Sequence, residues 1–167
     1  MAEHVLRTLR RVESIESVAV ATASDEVARF AQGLGALAID LYVDLGTRAA
    51  YQQAIAIHRP GGALLLINGD LPFLQPEDVE IMCRNHDDVV IAPDRHGCGT
   101  NALWCRTAGI IEPLFGENSF KRHCAAVRAA GMTPRVVKRL GLGFDVDDPQ
   151  DLSLIGHRAL ARPSLLS

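Results

Sequence analysis

The sequence has no strong excess of charge of either sign and no long apolar run. Its 167 residues carry a formal net charge of -3, which gives no general attraction for nucleic acid or for an anionic membrane. No apolar run approaches the roughly 18 residues that a membrane-spanning helix needs. The first residues also lack the apolar centre of a secretory signal peptide. We therefore expect a cytoplasmic protein that binds neither nucleic acid nor membrane.

Paired-cysteine motifs are also missing. The four cysteines (Cys83, Cys98, Cys105 and Cys124) form no CxxC pair and have no zinc-type spacing with histidine. Three of them stand among apolar residues, which predicts buried free thiols. Cys98 lies in a polar loop without a base fixed beside it by the sequence, so a small loop residue is the better interpretation than a nucleophile.

Apolar periodicity alternates between that of helices and that of strands along the whole chain. Predicted helices begin at Thr47 and at Pro76, and the continuous apolar run Ala63–Ile67 between them predicts a buried strand. This alternation is typical of an α/β protein with a Rossmann-like, mostly parallel sheet flanked by helices. We expect one domain over residues 1–161 and a frayed tail over residues 162–167. In such sheets, ligands bind beyond the carboxyl ends of the strands.

A polar loop follows the apolar strand Val89–Ala92. It occupies residues 93–103 and contains two glycines, Arg95, Thr100 and Asn101. Glycine lets backbone N–H groups approach an anion closely, hydroxyl and amide side chains donate to its oxygens, and arginine supplies positive charge. The pattern favours a site for a phosphate or a carboxylate, with an ordinary polar turn as the alternative.

Three aspartates stand where strands are predicted to end. Asp70 follows the most apolar strand and could hold a divalent cation or form an Asx turn, two equally good interpretations. Asp145 and Asp147 lie two residues apart in a predicted strand over residues 144–147, so their side chains share a face. Adjacent carboxylates repel unless a cation lies between them, and oxygen ligands suit Mg²⁺ or Mn²⁺. Capping of the helix that begins at Pro149 is the alternative for Asp147.

The segment 115–123 opens a further helix with an unusual distribution of charge. Basic side chains at positions 121–123 occupy its first turn, where they oppose the helix dipole. An anion bound at this end would reverse the sign of that effect, and Gly116 and Ser119 just ahead favour such a site. A solvated basic face is the alternative.

With these segments in place, the chain resembles the guanylyltransferases that make the deazaflavin coenzyme F(420). These are the 2-phospho-L-lactate or phosphoenolpyruvate guanylyltransferases of the nucleotidyltransferase superfamily. The matching segments are residues 69–72, residues 93–103, residues 115–120 with His123, and residues 145–152. The resemblance runs essentially end to end and implies a GT-A-like nucleotidyltransferase fold.

The resemblance also implies a reaction and its residues. GMP would pass from GTP to the phosphate of 2-phospho-L-lactate, phosphoenolpyruvate or 3-phosphoglycerate, with release of pyrophosphate. Because the second pKa of such a phosphate is about 6, it is largely ionised at neutral pH and needs no general base. Residues implied to bind Mg²⁺ and serve catalysis are Asp70, Asp145 and Asp147. Residues implied to bind the three-carbon acid are Thr100, Gly116 and Ser119, and candidates for further substrate contacts are Arg95, Asn101 and Lys121.

Two departures from the family fall on the nucleotide side. The family normally begins with a strand and a glycine-rich or basic loop, whereas this chain starts at the helix that follows them. Residues 45–48 also differ from the family's usual Gly-Leu-Asn. We therefore expect an N-terminally truncated fold with unpaired strand edges.

Two alternatives to this function remain open. One is a catalytically impaired fragment that binds only the phospho-acid. The other is a nucleotidyltransferase for another acceptor, such as a molybdopterin or a sugar phosphate. The sequence also leaves the oligomeric state open, with a homodimer among the options.

Overall fold

The computed structural model describes residues 1–41, 46–84, 87–148 and 150–151. In chain order the elements are α1 (Ala2–Leu9), β1 (Ala19–Thr22), α2 (Asp25–Gly33), β2 (Leu37–Asp40), α3 (Thr47–His58), β3 (Leu64–Ile67), α4 (Pro76–Cys83), β4 (Val89–Pro93), β5 (Thr100–Cys105), α5 (Ser119–Ala129), β6 (Arg135–Val136) and α6 (Leu140–Gly143). None of these helices is long and apolar enough to cross a membrane. The predicted tail at residues 162–167 lies outside the described residues.

The described strands form two sheets. β1 and β2 pair in parallel, and a second sheet has the strand order β3-β5-β4-β6. In the second sheet β5 is antiparallel to both of its neighbours, and β6 is parallel to β4. β3, β4 and β6 therefore run in one direction and β5 runs against them. The α/β class is confirmed, and the reversed strand is an addition that an apolar run cannot reveal, because the run carries no direction.

Helices cover both faces of the larger sheet, as predicted. Every residue of β4 and β5 is buried. Because successive strand residues point to opposite faces, Val90 and Ala92 join one apolar cluster with side chains of α1, α4 and α6. Val89 and Ile91 join a second cluster with side chains of α5, against which α3 also packs. These two clusters fix the position of the strand ends that carry the polar residues.

Local signals set the helix starts. The Ser24 hydroxyl accepts a hydrogen bond from the N–H of Val27, as expected of an N-cap residue. Pro76 is the first residue of α4, and Gln75 and Asp78 form a capping box around it. Such interactions act within one turn, which is why the sequence alone could locate them.

A cleft of about 930 Å³ separates β1 from β3. No hydrogen bond joins these two strands in the described chain. Apolar residues of α1 and α3, among them Leu6 and Ala54, also line the cleft. One end of the cleft reaches Asp70, and this places the opening beside the predicted carboxylate site.

The predicted strand over residues 144–147 is wrong. The chain forms the short helix α6 and then continues without a strand partner. Two side chains bind the backbone groups that a strand would have offered to a neighbour. Arg95 donates to the carbonyl oxygen of Asp145, and the carboxylate of Asp151 accepts the N–H of Asp147. Side-chain bonds therefore hold this segment in place of a strand ladder.

The packing of α6 against α4 predicts one glycine that cannot be replaced. A Cβ at Gly141 would contact the Asp78 carboxylate and would lie 2.7 Å from the carbonyl oxygen of Phe73. We expect Gly141→Ala to lower the free energy of unfolding by about 1–3 kcal/mol, the usual cost of overpacking. Urea denaturation followed by circular dichroism measures the change.

Gly143 provides the matched control in the same helix. A Cβ there would lie 3.6 Å from the carbonyl oxygen of Pro93, which is an ordinary contact. Gly143→Ala should therefore leave the denaturation midpoint nearly unchanged. Equal midpoints for both variants would contradict the packing described here.

Candidate functional site

Three carboxylates predicted from the sequence lie at one end of the larger sheet. Asp70 follows β3, and Asp145 and Asp147 follow α6. Burial raises the pKa of Asp70, and the negative charges of Asp145 and Asp147 raise it further. Burial also raises the pKa of Asp145, again with a contribution from Asp147. The charge of Asp147 therefore acts on both Asp70 and Asp145, as expected of neighbouring carboxylates.

Two oxygens of this group lack a hydrogen-bond donor. The Oδ1 atoms of Asp70 and Asp145 are buried and have no partner among the described residues. A buried carboxylate oxygen without a donor is costly, and it is stabilised either by a proton or by a cation. Within the described ranges, no three His, Cys, Asp or Glu side chains converge into a complete metal-binding group. Mg²⁺ does not require such a group from the protein, because it commonly takes one or two carboxylates and completes its shell with water and substrate phosphates.

Arg95 holds the segment that carries Asp145. Its guanidinium donates to the Asp145 carbonyl oxygen at 2.8 Å and to Oδ1 of Asp151 at 2.7 Å, and it lies 4.7 Å from the ring centre of Phe144. Its Nε donates to the ring of His96. The sequence suggested Arg95 as a substrate ligand. The structure gives each of its nitrogens a partner within the chain, one of them the backbone of Asp145, and a contact with substrate stays a prediction.

The polar loop after β4 holds an anion of its own. Oδ1 of Asp94 accepts the N–H of Cys98 at 2.9 Å, and Oδ2 accepts the N–H of Gly99 at 2.6 Å. Burial opposes ionisation of Asp94, but these and neighbouring backbone hydrogen bonds hold its pKa below the usual value. A Cβ at Gly99 would lie 2.8 Å from Asp94, which explains the glycine. The amides of Cys98 and Gly99 are therefore engaged by Asp94.

Donors for an external anion lie at the start of α5. Thr100, which is buried at the beginning of β5, has its Oγ1 2.9 Å from Nδ1 of His123 on α5. The N–H of Phe120 donates to the carbonyl oxygen of Cys98, and this bond docks the loop on the same helix end. Thr100 and the first turn of α5, where Ser119 is the first residue, are therefore brought together, as the sequence predicted.

Three further residues predicted to bind substrate are Gly116, Lys121 and Asn101, and the structure places each differently. Gly116 has φ +105°, a backbone conformation that favours glycine, and its carbonyl accepts the N–H of Ser119. Lys121 is exposed in the first turn of α5, at the helix end that favours anions. Asn101 is buried and donates to the Leu142 carbonyl oxygen at 3.1 Å, so it joins β5 to α6, and its contact with a substrate stays a prediction.

Tyr51 is a neighbour of the site that sequence reasoning missed. Its hydroxyl donates to Oδ1 of Asn68 at 3.3 Å, and its ring packs on Phe115 with ring centres 4.4 Å apart. Burial raises the pKa of Tyr51, and the charge of Asp70 contributes to the increase. Its position among the apolar residues of α3 marks it only as a core residue. Asn68, which lies two residues before Asp70 and accepts the bond from Tyr51, is the polar residue in the sequence that could have indicated this contact.

Comparison with protein families places this geometry in context. Residues 1–159 match the family model described as "Guanylyl transferase CofC like". A phosphoenolpyruvate guanylyltransferase of Sphaerobacter thermophilus is 32% identical over 98% of this chain and 81% of its own length. A 3-phospho-D-glycerate guanylyltransferase of Phenylobacterium zucineum is 33% identical over 83% of this chain and 66% of its own length. A 2-phospho-L-lactate guanylyltransferase of Methanopyrus kandleri is 39% identical over 62% of this chain and 56% of its own.

Solved structures support the same fold. A chain from Desulfovibrio desulfuricans named as a nucleotide-diphospho-sugar transferase superposes with a TM-score of 0.72, at 20% identity, over 97% of this chain and 73% of its own. The CMP:2-keto-3-deoxy-manno-octonic acid synthetase complexed with CTP gives a TM-score of 0.69, at 15% identity, over 96% of this chain and 88% of its own. At these identities the similarity establishes the fold, which is that of GT-A-like nucleotidyltransferases.

The carboxylate group predicts an unusual stability effect in the absence of divalent cations. Because the pKa of Asp70 is raised on folding, its contribution to stability is present below the unfolded pKa and is lost as pH rises through the folded value. The ionised carboxylate therefore destabilises the metal-free protein at pH 7. We expect Asp70→Asn to raise the melting temperature in EDTA by about 2–4 °C, the shift that 1 kcal/mol produces in a chain of this size.

A thermal melt at two pH values checks this effect. The difference between the variant and the parent chain should shrink as pH falls from 7 toward 4. Asp88→Asn is the control, because Asp88 forms an exposed ion pair with Arg106 that contributes little. A lower melting temperature for Asp70→Asn in EDTA at pH 7 would show that the carboxylate is satisfied without a cation.

Proposed function

Since the chain belongs to the family of CofC-like guanylyl transferases, we propose that it transfers GMP from GTP to the phosphate of a three-carbon phospho-acid and releases pyrophosphate. The observation that carries the proposal is the pair of buried carboxylate oxygens on Asp70 and Asp145 that have no hydrogen-bond donor. Phosphoenolpyruvate is the first acceptor to test, because the relative that aligns over 98% of this chain carries its name. 2-Phospho-L-lactate and 3-phosphoglycerate follow from the names of other relatives.

In this proposal Asp70, Asp145 and Asp147 hold Mg²⁺. The support is that Asp70 and Asp145 each have a buried carboxylate oxygen without a donor, and that burial and the charge of Asp147 raise the pKa of both groups. When bound, the ion would offset the repulsion between the phosphates of the two substrates and the charge on the departing pyrophosphate. Arg95 keeps Asp145 in place by binding its carbonyl oxygen and leaves the carboxylate available.

The two substrates would approach the carboxylates from different sides. We assign GTP to the side of the cleft between β1 and β3, whose lining includes Gly46 and Thr47 at the start of α3 and extends to Asp70. We assign the phospho-acid to the start of α5, with Thr100, Ser119 and Lys121 as its ligands. This helix end favours negative charge.

The chemical step would need no general base from the protein. An ionised oxygen of the acceptor phosphate forms a bond to the α-phosphorus of GTP. The bond from that phosphorus to the oxygen that bridges to the β-phosphate breaks, and its electron pair leaves with pyrophosphate. Because the second pKa of the acceptor is about 6, the attacking oxygen is already largely deprotonated at pH 7. A cytoplasmic location is part of this proposal, since GTP is an intracellular metabolite.

Pyrophosphate release tests the proposed function. The chain is incubated with GTP, MgCl₂ and each of the three phospho-acids, and pyrophosphate is measured by a coupled assay. We expect release with at least one acceptor, and a loss of about 100-fold or more in Asp145→Asn, which corresponds to about 2.7 kcal/mol of barrier. Asp88→Asn again serves as the matched control, because it also exchanges an aspartate for asparagine but lies on the exposed surface.

The other outcomes of this assay discriminate between functions. A sugar phosphate and a molybdopterin are supplied as further acceptors. Release with one of these, and with none of the three phospho-acids, would identify another nucleotidyltransferase. Binding of phosphoenolpyruvate in calorimetry without any release would support the binding-only alternative. Unchanged turnover in Asp145→Asn would overturn the assignment of this residue to Mg²⁺.

A further inference from the structure

We propose that His123 is a positioning residue for the phospho-acid: its Nδ1–H donates to Thr100 and thereby turns the Thr100 hydroxyl hydrogen toward the bound anion. The inference rests on the proposed function, because the contact between Thr100 and the acceptor is part of that proposal. It adds a residue that would act through Thr100 and would not itself touch the substrate.

The hydrogen-bond partners of the ring determine which nitrogen carries the proton. The backbone N–H of Leu114 can only donate, and it lies 2.7 Å from Nε2 of His123. Nε2 is therefore the unprotonated acceptor, and a neutral ring must carry its hydrogen on Nδ1. Nδ1 lies 2.9 Å from Oγ1 of Thr100, so the threonine oxygen accepts this bond. The hydroxyl hydrogen of Thr100 is then left to donate to another group.

The surroundings of the ring keep this arrangement fixed. His123 is fully buried, and its ring meets Phe115 edge-on with centres 5.1 Å apart. Burial, with a smaller contribution from the positive charge of Arg122, lowers the pKa of His123 to about 4. The ring is therefore neutral at pH 7, and protonation of Nε2 would remove the acceptor that Leu114 uses. One proton arrangement accordingly persists under working conditions.

The direction of the Thr100 hydroxyl has a chemical consequence. A threonine hydroxyl can act as donor or acceptor, and when its oxygen accepts a bond from His123 its hydrogen is available to donate. An ionised phosphate or carboxylate oxygen can only accept such a bond. Thr100 stands at the first position of β5, and the loop before it docks on the start of α5. The buried ring therefore supports an anion donor at the helix end that favours negative charge.

A purely structural histidine would explain the same contacts, and two amide substitutions separate the two roles. The asparagine amide in His123→Asn reaches the position of Nδ1, where it can donate to Thr100, but it leaves the N–H of Leu114 without an acceptor. The glutamine amide in His123→Gln reaches the position of Nε2, where its oxygen can accept from Leu114, but it leaves Thr100 without the donor. Each variant removes one of these two bonds.

Calorimetry with phosphoenolpyruvate, and KM values for both substrates, provide the test. We expect the Kd and KM for phosphoenolpyruvate to rise about tenfold more in His123→Gln than in His123→Asn, the effect of one hydrogen bond. The KM for GTP should change little in either. If His123 only stabilises the fold, the loss of phosphoenolpyruvate affinity in each variant should instead follow the decrease in its melting temperature.

A second pair of variants keeps the proposal testable if a histidine variant does not fold. Thr100→Val removes the hydroxyl and Thr100→Ser retains it, so the valine variant should lose more affinity for phosphoenolpyruvate. In a folded double variant, His123→Gln should add little to Thr100→Val. Equal affinities of the serine and valine variants, or equal losses in His123→Asn and His123→Gln, would overturn the proposal. Failure of the parent chain to bind any of the three phospho-acids would instead overturn the proposed function.

Discussion

The Arg95 guanidinium is the interaction on which the candidate site depends. It joins the loop after β4 to the segment after α6 by binding the Asp145 carbonyl oxygen and the Asp151 carboxylate. That segment has no strand partner in the described structure, so these bonds, with those from Asp151 to the N–H of Asp147, take the place of a ladder. These bonds help to hold the segment that carries Asp145 at the end of the sheet where Asp70 lies.

The carboxylates of this region differ in whether all their oxygens accept hydrogen bonds. Asp94 accepts backbone N–H groups of its own loop, and Asp151 accepts both Arg95 and backbone N–H groups. Both have a pKa below the usual value. Asp70 and Asp145 have a raised pKa and an oxygen without a donor. Asp94 and Asp151 thus have hydrogen-bond donors, whereas Asp70 and Asp145 each keep one oxygen without a donor. This difference supports the proposal that a cation completes the site.

The accuracy of the sequence-based expectations follows the range of the interactions involved. Helix starts at Thr47 and Pro76, and the apolar strands, depend on neighbours within a few residues, and they were predicted well. The reversal of β5 and the loss of the strand at residues 144–147 depend on contacts between distant segments. The sequence predicted that the loop after β4 binds an anion, and two of its amides bind the carboxylate of Asp94. A glycine-rich turn that can hold a substrate anion can also hold a carboxylate of the chain, and the sequence does not distinguish the two.

The candidate site shows the same division. The aspartates at the strand ends were visible because carboxylates close together at that edge of a sheet suggest a cation. Arg95 and Asn101 were expected to meet a substrate, but long-range bonds to Asp145 and Leu142 engage them. The role of His123 could not be predicted, since it depends on Leu114 and Thr100, which only the folded chain brings to the two sides of one ring.

Electron paramagnetic resonance of Mn²⁺ with the parent chain, alone and with GTP, tests the central claim most directly. Mn²⁺ shares the oxygen-ligand preference of Mg²⁺, and its signal distinguishes free from bound ion. The account predicts that the parent chain binds Mn²⁺, with higher affinity when GTP is present, and that Asp70→Asn and Asp145→Asn lose this binding while remaining folded. Unaltered Mn²⁺ binding in both folded variants, or no binding by the parent chain even with GTP, would contradict it.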